Sequence, residues 1–377
     1  MELPSLETLP PLRGRRVLVR VDFNVPVRDG SVVDDTRIRT SLPTLEWLLG
    51  QGAEVVACSH RGRPKGKPDP AYSMDPVRAE LQRRLPAVEL MENLRFDPGE
   101  EACDEEFVRK LVEGFDVYVN EAFGASHRAH ASIVGPPRHL PSAAGRWLQR
   151  EVEVLCGLRE NPSRPFVAVL GGAKVSDKIG VIRALLSVVD RIVVGGGMCF
   201  TFLAAAGRRV GASLVEESMI DECRRLLEEG APLVLPTDVV GLSPDGEIGA
   251  PEAGGEVRVF EGDLPDGWRG LDIGPASVEA FSEVIAAAST VFWNGPMGVF
   301  EDERFAAGTR GVGEAIAASE AFSVVGGGDS AAALSSLGLA DSVDHVSTGG
   351  GASLELLEKG DLPGLEALRR SRSERGR

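Results

Sequence analysis

The chain has 377 residues, 41 Lys and Arg against 57 Asp and Glu, a net charge of −16, five cysteines and 43% apolar residues. That length exceeds what one hydrophobic core supports, so two domains are expected, and a charged content of only 26% excludes disorder of the whole chain. The acidic balance excludes nucleic acid as a general partner, and no apolar run reaches the length of a membrane span.

The N-terminus, MELPSLETLPPLRGRR, lacks the charged-then-apolar pattern of a signal peptide. The cysteines at 58, 103, 156, 199 and 223 form no CxxC pair and read as reduced thiols, so a soluble cytoplasmic protein is expected.

In chain order, β-branched apolar runs predict strands at 17–22, 54–58, near 88–91 and at 116–120, then at 166–170, 191–194, 233–235, 290–293 and 322–325. Helical patterns lie between them at 41–51, 75–85, 104–113, 178–188, 216–229, 277–288 and 304–319. This alternation predicts an α/β protein of two doubly wound, parallel-sheet, Rossmann-like domains. The boundary is expected around 141–165, where PSAAGRWLQREVEVLCGLRE reads as one helix before the breaker NPSRP. That helix either bridges two lobes or closes the first. The Arg-rich tail from 364 is expected to be frayed.

Charge is divided unevenly, with −3 over residues 1–158 and −13 over 159–377. Basic residues of the first part cluster near strand ends, which suits a small anion better than a long polyanion. Asp22 and Asn24 follow the first strand, Arg37 and Arg39 lie in DDTRIRT, and His60 and Arg63 lie in SHRGRPKG. Arg95 lies in ENLRF, and His127, Arg128 and His130 lie in YVNEAFGASHRAHAS. A single surface arginine is ordinarily just solvated. Several at successive strand ends read as a cradle of guanidinium forks for a phosphorylated acid.

The second part repeats a strand followed by a glycine turn: VLGGAK, VVGGGM, WNGPMG, VVGGGD and STGGGAS. Glycine permits close approach of backbone N–H groups to phosphates, although glycine also simply makes tight βα turns. Lys174 and Lys178, two of only six lysines, fall four residues apart at an expected helix start. Like charges so placed cost roughly 0.2–0.5 kcal/mol, so either an anionic partner or a solvated face offset by Asp177 is implied. Asp329 is suited equally to holding Mg²⁺ or to capping a helix. There is no GxxxxGK[ST] P-loop, and no GxGxxG at the first turn of either part. The latter weighs against a nicotinamide-dependent dehydrogenase.

The motifs RVDFNVPV, DDTRIRTSLPT, SHRGRPKG, ENLRF, YVNEAFGASHRAHAS, RPFVAVLGGAKVSDKI, VVGGGM, WNGPMGVFE, VVGGGDS and VSTGGGASLELLE span residues 20–358. In that order they resemble the phosphoglycerate kinase family. The resemblance implies reversible transfer between 1,3-bisphosphoglycerate with MgADP and 3-phosphoglycerate with MgATP, in a monomer whose lobes face each other across a cleft that closes about a hinge. It implies a phosphoglycerate-binding domain at 1–158, a nucleotide-binding domain at 159–350, and a segment 351–377 returning to the first.

By the same resemblance, Asp22, Asn24, Arg37, His60, Arg63, Arg95 and Arg128 bind the phosphoglycerate. Gly171, Gly172, Ala173, Lys174, Lys178, Gly195, Gly196, Asn294, Pro296, Glu301, Gly327, Gly328, Asp329 and Ser330 bind the nucleotide, with Glu301 on the ribose and Asp329 on Mg²⁺. Arg37, Lys174, Lys178, Gly328 and Gly350 serve the transfer itself. A catalytically inactive binding homologue remains the alternative within this fold. Four features depart from the family pattern: Arg61 where leucine is usual, Glu121 for aspartate, Ser330 for threonine, and a missing helix and strand between Ala87 and Glu92. Arg61 is expected to add positive charge beside the cradle.

Overall fold

The computed structural model describes residues 1–375. It divides into two compact units, one formed by Met1–Cys156 with the segment from Lys359 onward and the other by Gly157–Glu358. The division falls inside the helix Arg146–Glu160, two residues before the expected 158.

The first unit is built on a five-stranded sheet in the spatial order Glu89–Leu90, Glu54–Cys58, Arg16–Arg20, Val117–Asn120 and Ser142–Ala144, parallel throughout. Helices cover both faces of such a sheet, which is why VLVR and VYVN are continuously buried instead of alternating. Ser142–Ala144 escapes sequence detection because SAA has no β-branched residue. The edge strand Glu89–Leu90 is only two residues long and follows the helix Asp75–Arg84 after a four-residue link, so no further helix stands where the family pattern has one.

The first long helix, Thr36–Gly50, starts five residues before the expected 41. Arg37 and Arg39 therefore sit on a helix, about 200° apart around its axis. Arg37 reaches Asp22, and Arg39 pairs with Asp35 at 2.9 Å.

The second unit carries a six-stranded parallel sheet in the order Leu233–Val234, Arg191–Val194, Phe166–Leu170, Thr290–Asn294, Phe322–Gly326 and His345–Val346. Numbered along the chain this is 3-2-1-4-5-6, the doubly wound order. Its core gathers Val167, Val169, Trp293, Phe281 and Val325.

Strict strand–helix alternation fails at the antiparallel hairpin of Val27–Arg28 and Ser31–Val32 in the first unit and, on a larger scale, in the second. An antiparallel sheet of Val257–Glu261, Asp238–Leu242 and Arg269–Ile273 is inserted before the helix Pro275–Ala286. The helix Met198–Ala205 also went unpredicted, because it is buried nearly all round and shows no amphipathic period.

The C-terminal segment differs from expectation in two respects. The helix Gly350–Lys359 stays with the second unit, where Arg159 donates from Nη1 to the carbonyls of Leu357 (2.9 Å) and Glu358 (3.1 Å), so the segment that joins the first unit begins near 359 and not 351. Beyond it, Pro363–Arg375 is a helix and not a frayed tail. It packs against Ala131–Val134 and Ser142–Ala144, burying Leu365 and Leu368 completely. The last two residues of the expected tail lie outside the described residues.

Two glycines give opposite expectations. A Cβ on Gly157, mid-helix, would meet nothing within 4 Å, so Gly157→Ala should add roughly 0.5–1 kcal/mol of stability. A Cβ on Gly270 would lie 2.2 Å from Phe200 Cζ, so Gly270→Ala should lose roughly 1–3 kcal/mol. Denaturant unfolding of both variants checks the pair.

Candidate active site

A crevice opens at the carboxyl edge of a doubly wound sheet where successive connections leave in opposite directions. In the second unit that point lies between Phe166–Leu170 and Thr290–Asn294. A pocket of about 230 Å³ sits there, lined by Gly172, Ala173, Lys174, Asp177, Lys178, Asn294, Gly295 and Gly327 to Ser330.

Lys178 is buried, and its Nζ donates to Asn294 Oδ1, whose Nδ2 donates to Gly326 O at 2.7 Å. Burial holds the Lys178 ammonium below its ordinary range, with Asp177 and Asp329 opposing. The helix expected to carry both lysines begins only at Ile179, so Lys174 and Lys178 do not share a helical face. Lys174 is an exposed loop residue at the rim, and the predicted like-charge penalty within a helix does not arise.

Gly327 caps the helix Gly328–Ser336, which leaves Asp329 in its first turn with an exposed carboxylate. Ser330 Oγ accepts from Gly295 N–H at 2.6 Å, joining two of the pocket's turns. A Cβ on Gly350 would lie 2.7 Å from Gly327 Cα, so the last glycine turn lies directly against the turn that lines the pocket.

Gly171, Gly195, Gly196 and Pro296 lie outside the pocket lining and interlock the turns. Gly171 N–H donates to Asn294 O, Gly172 N–H to Pro296 O and Gly196 N–H to Met297 O, each at 2.9 Å. A Cβ on Gly171 would stand 2.1 Å from Pro296 O. Glu301 is exposed in the turn before Glu303–Phe305 and does not line the pocket. Asp177 and Gly295 line it without having been singled out as site residues.

In the first unit, Arg37 Nη1 contacts Asp22 Oδ2 at 3.1 Å and Asn24 O at 3.2 Å. Asn24 Oδ1 accepts from Gly62 N–H at 2.9 Å, and Gly62 O accepts from Arg95 Nη1 at 2.9 Å. His60 Nδ1 lies 3.0 Å from Arg20 Nη2. These contacts join Asp22, Asn24, Arg37 and Arg95 at the carboxyl ends of neighbouring strands, and tie His60 to Arg20 at the end of the first of them.

Arg63 and Arg128 are exposed, the latter donating from Nε to His127 Nε2 at 3.3 Å. Buried Asp22 Oδ1 has no hydrogen-bond partner. Burial and the Arg95, Arg20 and Arg128 charges push the His130 imidazole down to about 4. An anion would relieve that field. Arg20, fully buried, is the residue sequence reasoning passed over. A lone arginine ending an apolar strand in RVDFN was its only signal.

Arg61 corrects an expectation. Its guanidinium donates to the carbonyls of Ala71 and Ser73, the latter at 3.0 Å, and so ties down that loop instead of charging the cradle.

A family model for phosphoglycerate kinase matches residues 8–90 and 84–360. The chain is 54% identical to the phosphoglycerate kinase of Rubrobacter xylanophilus, over 95% of this chain and 96% of that protein. It is 52% identical to the phosphoglycerate kinase of Thermus thermophilus, over 94% and 97%. Among solved structures, phosphoglycerate kinase from Coxiella burnetii superposes with a TM-score of 0.87 at 37% identity, over 98% of this chain and 99% of that one. That from Pyrococcus horikoshii gives 0.84 at 30%, over 99% and 100%.

The fold is that of proteins built from two Rossmann-like units. The chain belongs to the phosphoglycerate kinase family. It is accordingly a phosphotransferase of glycolysis, moving a phosphoryl group between 1,3-bisphosphoglycerate and ADP.

The second departure noted above, Glu121, is buried and caps the helix Arg146–Glu160 through the N–H groups of Trp147 (3.2 Å) and Leu148 (3.3 Å), with Thr44 Oγ1 donating to it as well. Desolvation raises its carboxyl to about 8, so the folded chain holds a proton that the unfolded chain, at about 4.5, has released. The stability this group contributes is therefore complete below about pH 4.5 and is lost as pH rises to about 8, a change on the order of a few kcal/mol. Glu121→Gln should flatten that slope in thermal melts run across the window.

Proposed function

We propose that the first unit holds the phosphoglycerate at Asp22, Asn24, Arg37, His60, Arg63, Arg95 and Arg128. We propose that the second unit holds the nucleotide at the pocket around Gly172, Lys174, Lys178, Asn294 and Gly327 to Ser330. The observation that carries this reading is the switch-point pocket. A buried amine, glycine turns, a helix N-terminus and an exposed carboxylate together match the phosphates of a nucleotide and not its base. Gly171, Gly195, Gly196 and Pro296 would act by holding these turns together. Glu301 would reach the ribose from outside the pocket.

Mg²⁺ fits this arrangement. No group of three acidic, His or Cys side chains among the described residues is placed to hold a metal alone. A single exposed Asp329 beside the expected phosphates suits a cation that shares phosphate oxygens. Bound there, Mg²⁺ neutralises phosphate charge.

The carboxylate of 3-phosphoglycerate carries no proton at neutral pH, so its attack on phosphorus needs no general base, and His60 serves as a ligand. Arg37 and Lys178 stabilise charge on the moving group, helped by backbone N–H groups at 327–328 and 349–351. Direct transfer requires the two reactants to meet with water excluded, so turnover requires the units to close. Both sites are built from one chain, which favours a monomer. Five free thiols among the described residues favour a cytoplasmic setting.

ATP formation from 1,3-bisphosphoglycerate and ADP, read by a coupled assay, tests the reading. Arg37→Ala should lower kcat by roughly 10³-fold or more while leaving ADP affinity by calorimetry within about twofold. Equal loss of both would overturn the division of roles.

A further inference from the structure

Arg20 ends the strand Arg16–Arg20 with its whole side chain buried, and a buried guanidinium persists only if its donors and charge are answered. Its Nε donates to Ser132 Oγ at 2.8 Å, its Nη1 to Val21 O, and its Nη2 contacts His60 Nδ1 at 3.0 Å. Ser132 in turn donates from Oγ to Glu100 Oε1 at 2.6 Å and from N to Glu100 Oε2 at 2.9 Å. Glu100 and Ser132 are both fully buried. A single buried line thus runs Glu100, Ser132, Arg20, His60, linking the helices Pro98–Ala102 and Ala131–Val134 to the first strand and to the turn after Glu54–Cys58.

The direction of every bond in this line follows from the chemistry of its members. A guanidinium has only donors, so His60 Nδ1 must accept and carries a lone pair. The one proton of the neutral ring is then on Nε2. An imidazolium would set an Nδ1–H against the Arg20 N–H across the same 3.0 Å. Burial, together with the Arg20, Arg95, Arg37 and His130 groups facing the ring, opposes that protonation. The Ser132 hydroxyl gives its proton to Glu100 and its lone pair to Arg20, so the guanidinium is aimed by a carboxylate one residue removed.

We propose that Arg20, held by Ser132 and Glu100, is a positioning residue that fixes His60 as the neutral Nε2–H tautomer, so that His60 meets the phosphorylated acid as a hydrogen-bond donor. The opposite tautomer would present a lone pair at Nε2 to carboxylate and phosphate oxygens, which at neutral pH offer acceptors. This assignment rests on the proposed acid site for its purpose, but the tautomer itself stands on the geometry of the unliganded chain.

The test is a long-range ¹⁵N–¹H correlation spectrum of the ¹⁵N-histidine-labelled full chain at neutral pH without substrate. His60 is expected with Nδ1 bare and Nε2 protonated, and an Nδ1–H form or an imidazolium would overturn the proposal. In Ser132→Ala the His60 signals should become those of mixed tautomers. The KM for 3-phosphoglycerate should rise roughly 2- to 10-fold, the scale of one hydrogen bond, with kcat and the KM for ATP within about twofold. A Ser132→Ala chain with unaltered tautomer and KM would remove the positioning role. If that variant fails to fold, the wild-type spectrum still decides. Because the spectrum needs no turnover, absence of ATP formation would count against the proposed sites alone, and an Nδ1–H ring against the positioning role alone.

Discussion

Both candidate sites depend on the direction in which parallel strands are wound. When the chain leaves the central strand to one side and later returns to its other side, the loops at the carboxyl edge are pulled apart, and a crevice remains that no side chain of the sheet can fill. Phe166–Leu170 beside Thr290–Asn294, where the pocket lies, and Arg16–Arg20 beside Val117–Asn120 are the two places where the strand order reverses. Lys174 and Lys178 with the glycine turns lie at the first of these, and the arginine-histidine cluster lies at strand ends around the second.

Charge burial distinguishes these crevices from ordinary loop ends. Lys178 is desolvated against an amide oxygen, not a carboxylate, and His60 and His130 are held neutral by burial first and by the surrounding guanidinium groups second. Such arrangements oppose folding unless something answers the positive field. In the first unit Glu100 and Asp22 answer it in part. An anionic ligand would complete the answer in both, which is why stability is expected to be traded for binding at these positions.

Glycine serves two purposes in the second unit. At 172 and 327 it allows a positive φ beside the pocket, and at 171, 195 and 196 it allows one turn to lie directly on another. A motif reading treats the two alike, because both are strand ends followed by glycine. Only the distances between turns separate the residues that line the pocket from those that hold its walls together. Arg61 shows the same limit for charge, since its position in SHRGR reads as cradle although its donors are spent on the carbonyls of a neighbouring loop.

The alternation of apolar runs and helical patterns was enough to determine two parallel α/β units, and the motif order was enough to determine the family, because both are periodic or local properties of the chain. Short elements such as Ser142–Ala144 and His345–Val346, and the inserted antiparallel sheet, were decided by pairing partners distant in sequence. The separate fates of Lys174 and Lys178 and the burial of Arg20 were tertiary decisions as well. Which face a side chain turns to, and what meets it there, depends on residues a hundred positions away, as Ser132 does for Arg20.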